Sequence, residues 1–190
     1  MKNETGFKNA LFIFIGILIY MAVIFVCELP GYLAPSLWVL SCALAAIPGA
    51  LILYALCKRW PKFGLYTLTG LLWTLLMTAA GEIWTYWIPC WCMAFALIAD
   101  LARKFLSANK KKAQQISYCI FAFMPFGQFI PLWIYPSTYA GMAAAEMGSQ
   151  EYANGLLSFS NPLSFFGIAC MIVVCALLGE YLAAKFFKMK

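Results

Sequence analysis

Histidine is absent, and Asp, Glu, Lys and Arg together make up only 11% of the 190 residues. The first absence removes the commonest general base and the commonest metal ligand. The second excludes an ordinary soluble domain, in which about a quarter of residues carry charge. No G-x-x-x-x-G-K-[ST] run occurs, so there is no phosphate loop, and any ATP-driven step needs a partner. With no soluble domain, no nucleic-acid partner is expected either. No internal repeat is visible, which counts against a carrier built from repeated halves.

What is present is apolar. Hydrophobic residues make up 65% of the chain, gathered in long runs between short basic connectors. A membrane-crossing helix needs about 20 residues, so the length allows about six crossings in one domain. The runs predict helices at about 9–27, 37–57, 65–80, 84–102, 116–134 and 163–184, with a long outer segment at 135–162. The first run resembles a signal peptide at its start. No small-residue cleavage site follows it, and it reads as a retained helix. Pro48-Gly49 predicts a kink in the second helix.

The basic residues test the helix count. They are Lys2 and Lys8; Lys58, Arg59 and Lys62; Arg103, Lys104, Lys110, Lys111 and Lys112; and Lys185, Lys188 and Lys190. With six crossings all 13 fall on one side, which the positive-inside rule makes cytoplasmic. The expected fold is therefore all-α: a polytopic bundle of six transmembrane helices in a bacterial cell membrane, both termini cytoplasmic. The acidic residues divide differently. Glu28, Glu82, Glu146 and Glu151 fall outside, and Glu4, Asp100 and Glu180 on or near the inside. The outer face thus suits a neutral or cationic ligand better than an anion.

Eight cysteines are present, six of them well inside apolar runs, where free Cys behaves as a small hydrophobe. Cys90-x-Cys92 is too close for a structural zinc pair and lacks further ligands at metal spacing. No catalytic residue, metal or cofactor is expected.

A binding site is expected at the outer end. Interrupted helices in transporters point to binding sites, because broken backbone at membrane depth must line a cavity or be buried in protein. The fifth run carries Pro125 and Pro131 with Gln128 between them, in the apolar setting FMPFGQFIPLW. That amide should face the bundle interior, as a ligand contact or as the partner of a freed carbonyl. Glu82, beside Trp84, is a carboxylate in apolar surroundings. Trp84, Trp87, Trp91, Trp133 and Tyr139 collect near the same interface; aromatics gather at interfaces anyway, yet they also wall small-molecule sites. Within the outer segment a helix from about Tyr139 to Leu157 would bring Glu146, Gln150 and Asn154 onto one face. Loops this long are usually functional, and this one reads as a lid. Glu28 reads as the end of the first helix. Asp100 with Arg103 and Lys104, and Glu180 with Lys185, read as helix-end ion pairs.

Four short motifs carry a family resemblance: Pro61-Lys62-Phe63-Gly64, Gly81-x-x-Trp84, Ala99-Asp100-Leu101 and Gly148-Ser-Gln150-Glu151-Tyr152-Ala153. In this order and spacing the chain resembles the substrate-binding (S) components of energy-coupling factor transporters, in particular the Trep_Strep group of small integral membrane proteins. The resemblance implies a subunit that binds a vitamin or similar micronutrient from outside. It also implies a membrane scaffold subunit and two ATPase subunits as partners, which the loaded subunit joins to deliver its ligand. S components commonly dock the scaffold through small residues four apart on the first helix. Here Ala10 and Gly16 lack that spacing, whereas Ala46 with Ala50 and Gly179 with Ala183 have it. Glu82 stands where the resemblance leads one to expect histidine, which implies a different substrate from its relatives if that position touches ligand. Two other classes compete: a membrane-embedded thiol–quinone oxidoreductase, which needs paired cysteines in exposed loops, and an autonomous channel or carrier.

Overall fold

The structure, a computed structural model, describes residues 2–80 and 87–187, with residues 2–7 described by their backbone alone. Helices are the only extended elements among them. They are α1 (Lys2–Glu28), α2 (Pro35–Arg59), α3 (Leu65–Ala79), α4 (Trp87–Phe105), α5 (Lys110–Phe121), α6 (Pro131–Ile134), α7 (Pro136–Met147), α8 (Gln150–Leu157) and α9 (Pro162–Phe186). Single 3-10 turns occupy Leu29–Tyr32 and Pro125–Gln128. Proline opens α2, α6, α7 and α9, where its fixed φ suits the first turn and its missing N–H would be unpaired anyway. Asparagines cap two starts: Asn109 Oδ1 accepts from Lys112 N at 3.1 Å, and Asn161 Oδ1 from Ser164 N at 2.9 Å.

Among the described residues three stretches are long and apolar enough to cross a membrane: Lys8–Tyr32, Pro35–Arg59 and Pro162–Phe186. The apolar α3 is shorter. Around α2 the bundle assembles, with α1 on one flank and α9 on the other. The α2–α9 contact is very close. A Cβ on Gly179 would meet Ala50 Cβ at 2.7 Å and the Ile47 and Ala46 carbonyl oxygens at 2.9 and 3.0 Å. Only glycine fits there, and the approach lets the two helices pack backbone to backbone. α2 runs through Pro48 as one helix.

Two sequence expectations are corrected. The fifth run does not form one kinked helix over 116–134. α5 ends at Phe121, and i→i+3 bonds carry the chain through Phe123, Met124, Phe126 and Gly127 to the short α6. Pro125 and Pro131 each lack the donor that α-helix bonding requires. The opened turn finds partners on α4: Trp91 Nε1 donates to Phe123 O at 2.8 Å, and Cys92 Sγ to Met124 O at 3.5 Å. The outer segment likewise does not form one helix over 139–157. Gly148, at φ +62°, ends α7, and Ser149 starts α8 by accepting from Tyr152 N at 3.2 Å.

The two expected ion pairs are replaced by other contacts. Asp100 is 1% exposed, and its Oδ2 accepts from Thr67 N and Thr67 Oγ1, both at 2.7 Å. It therefore holds the first turn of α3, where a carboxylate also complements the helix dipole. Arg103 donates instead through Nη2 to the Cys57 and Trp60 carbonyls, at 3.0 and 3.2 Å. Glu180, also 1% exposed, accepts from Gln114 Nε2 at 3.2 Å, and that amide also donates to Tyr66 Oη at 3.1 Å. Sequence spacing finds neighbours on one helix; these partners belong to other helices.

The helix ends sort by charge. Arg59 reaches Asn9 Oδ1, Lys58 reaches Phe187 O, and Arg103 reaches Cys57 O. The start of α1, the ends of α2 and α4 and the end of α9 therefore share one end, the basic end. The end of α1, the start of α2 and the α7–α8 pair share the other.

Candidate functional site

At the end away from the bases lies a cavity of about 220 Å³. Its floor comes from five elements. α1 contributes Phe25 and Glu28, and the turn after it contributes Tyr32. Trp38 comes from the first turns of α2, Met77 from the end of α3, and Gln128 from the broken fifth segment. Its roof is α7. Tyr139, Met142, Ala143, Glu146 and Met147 line it, and their spacing is one stripe of a helix. Tyr152 on α8 closes the side.

Glu28 anchors the floor. It is 7% exposed, and its Oε1 accepts from Gln128 Nε2, a residue 100 positions away. The break between Pro125 and Pro131 brings Gln128 there. A carboxylate that must leave water needs such donors, because burial without them is costly. Among the described residues Glu146 is the second carboxylate on the wall, and no Lys or Arg lines it. The remaining wall is aromatic and thioether-rich.

The roof is fastened by two tyrosines. Trp38 Nε1 donates to Tyr139 Oη at 3.1 Å, and Tyr152 Oη donates to Gly31 O at 2.6 Å. Burial, with Tyr32 and Glu146 adding to it, pushes the Tyr152 phenol up to about 12, so it stays a donor across the physiological range. Trp38 also sits edge-on to Tyr32 and Phe129, with ring centroids 5.8 and 5.6 Å apart.

The expected site residues divide. Gln128, Tyr139 and Glu146 line the cavity. Trp87, Trp91 and Trp133 do not: Trp87 stacks on Trp91, Trp91 packs over the opened fifth segment, and Trp133 donates to Asn161 O at 3.2 Å. Gln150 and Asn154 are exposed on α8, outside the wall. The Gly148–Ser149 break separates them from Glu146. Glu82 and Trp84 lie outside the described residues. Sequence reasoning missed Tyr32, Trp38, Met77, Met142, Met147 and Tyr152; it placed Glu28 at the end of the first helix, where α1 does end, but not on the cavity floor. One signal was available for Glu28, a lone carboxylate between Cys27 and Leu29-Pro30 in apolar sequence.

The small residues expected to dock a scaffold are used within the chain. Gly16 is buried against Leu56, Ala46 and Ala50 against Gly179, and Ala183 is fully buried; Ala10 alone is exposed. All eight cysteines are free, and Cys90 and Cys92 face apart, one exposed and one buried.

A bundle with helices of membrane-spanning length, charge sorted to its ends and a roofed cavity at one of them describes a helical membrane protein. The chain belongs to the Trep_Strep family, described as hypothetical bacterial integral membrane proteins, which it matches over residues 7–189. No curated protein and no solved structure matches it.

Proposed function

We propose that this protein is the substrate-capture subunit of an energy-coupling factor importer. It takes a small cationic or uncharged micronutrient at its acidic end and does no chemistry on it. A partner scaffold and two ATPase subunits supply the transport step. In this reading α1, α2, α3, α4, the α5–α6 segment and α9 make six crossings, and the basic end faces the cytoplasm.

One observation carries the proposal: the roofed cavity built on the Glu28–Gln128 pair, with Glu146 opposite and no base among the described residues of its wall. Aromatic faces and carboxylates together attract organic cations. A volume of about 220 Å³ lies below the range of ~300–1,000 Å³ for drug-sized sites, which favours a compact ligand. The bacterial membrane family and the absence of a phosphate loop agree with a subunit that relies on partners for energy.

The test is mass spectrometry of small molecules that co-purify with the chain in mild detergent. A water-soluble compound near one-to-one stoichiometry, lost in Glu28→Ala, supports the reading. A soluble compound retained equally by Glu28→Ala and Gln128→Ala counts against this cavity. Replacing all eight cysteines by Ser or Ala separates it from a thiol enzyme, since capture should survive.

A further inference from the structure

The basic end holds a second cavity, of about 270 Å³. We infer that it is a site for a phosphate-type oxyanion, separate from the outer cavity and independent of what that cavity binds. Three cations line it: Lys58 at the end of α2, Arg103 near the end of α4 and Lys110 at the start of α5. Tyr54, Ser107 and Gln114 add polar groups to the same wall.

Two polar atoms on this wall point to a missing partner. Tyr54 is 2% exposed, and its hydroxyl has no hydrogen-bond partner. Arg103 Nη1 is likewise closed off from solvent without a partner. The other guanidinium nitrogen, Nη2, is held by the Cys57 and Trp60 carbonyls. The fork is thus fixed in direction with one side unmatched. Buried donors in native proteins are nearly always paired, so two such donors beside one cavity need an acceptor. An oxyanion supplies several lone pairs at once, and a guanidinium suits it better than an ammonium. The start of α5 adds a positive helix terminus, while the ends of α2 and α4 oppose it. Among the described residues no carboxylate lines the cavity. Of the nearby acids, Asp100 is engaged by Thr67, though its Oδ1 has no partner, and Glu180 is engaged by Gln114.

The oxyanion can come from an anionic phospholipid headgroup or from a free phosphate group. The full chain in detergent distinguishes them by native mass spectrometry with phosphatidylglycerol, with phosphatidylcholine, and with inorganic phosphate alone. The expected result is tight binding of one phosphatidylglycerol or one phosphate, weakened tenfold or more in Arg103→Gln and several-fold in Tyr54→Phe. Lys62→Ala, a surface base outside the cavity, should change little. Displacement of the lipid by inorganic phosphate assigns the free group; retention against it assigns the headgroup. Arg103 also holds two backbone carbonyls, so its variant can fail to fold. Tyr54→Phe removes only an unpartnered oxygen and keeps the test open. Phosphatidylcholine bound as tightly as phosphatidylglycerol with no phosphate bound, equal losses in Lys62→Ala and Tyr54→Phe, or no loss in Tyr54→Phe would each overturn the inference.

Discussion

The two ends of this bundle solve opposite problems with opposite means. At the acidic end the wall is assembled from elements far apart in sequence, and the cover is a separate pair of helices, fastened by two tyrosine bonds and by the burial of Ala153 and Leu156 of α8. At the basic end the wall is made by helix termini themselves, with Arg103 bonded directly to backbone. The roof helix α7, which buries only Tyr139 and Ala140, can move with less disturbance to the bundle than a wall made of helix ends. Between them, α2 and α9 are locked by the Gly179 contact. In the proposed reading the acidic end is therefore the place for exchange with solvent, and the basic end is the fixed part.

The most disruptive change removes the distinction by loosening both ends. Gly179→Leu drives side-chain atoms into Ala50 and into the Ile47 and Ala46 carbonyls. Overpacking of this kind costs about 1–3 kcal/mol, and here the obstruction includes backbone, so the upper figure is expected. Thermal unfolding in detergent should shift down markedly, and ligand capture and anion binding should weaken together. An unchanged melting temperature would mean that α2 and α9 do not form the rigid part.

The next affects one end alone. Glu28→Ala leaves the Gln128 amide without its partner and removes a wall carboxylate, and Gln128→Ala removes the amide that donates to Glu28 Oε1. Each should weaken ligand binding at least tenfold, about 1.4 kcal/mol. The double variant should cost less than the sum, because the two side chains share one interaction. Titration of the purified chain with its co-purified ligand checks all three. Additive losses would show that the residues act separately.

These variants also mark what sequence could reveal. The helical class, the basic connectors and the special nature of Gln128 were legible, because hydropathy, charge and proline placement are local. The 100-residue link from Glu28 to Gln128 was not, since no periodicity spans it. Trp38 was hidden in an apolar run that looked like any other. The tryptophans of α4 misled, because an aromatic that patches a broken helix has the same composition as one that walls a cavity. The docking stripe misled for a related reason. Small residues four apart allow close approach but do not say to what, and here the partner is the chain's own α2 or α9.

A milder change sharpens the contrast between cover and wall. Tyr152→Phe removes the hydroxyl that donates to Gly31 O and leaves the ring in place. A net hydrogen bond contributes about 1 kcal/mol, so ligand release should quicken about fivefold with little change in melting temperature. Burial holds this phenol protonated up to about 12, so the fastening is present below the ordinary phenol range near 10 and fades only as pH rises through about 12. Release rates should consequently show no contribution from this group between pH 6 and 9.

The smallest effect is expected where the sequence pattern was most suggestive. Gln150 and Asn154 would join Glu146 on one face if the outer segment were a single helix. The φ of +62° at Gly148 ends α7 first, and α8 presents both side chains to solvent. Gln150→Ala and Asn154→Ala should change ligand affinity and stability by no more than about 0.5 kcal/mol. Glu146→Ala, one helix away, should weaken binding of a cationic ligand measurably and an uncharged one hardly at all. If Gln150→Ala or Asn154→Ala weakened binding as much as Glu146→Ala, α8 would have to swing over the cavity when ligand enters. The cover would then be a moving part whose closed form brings all three side chains together.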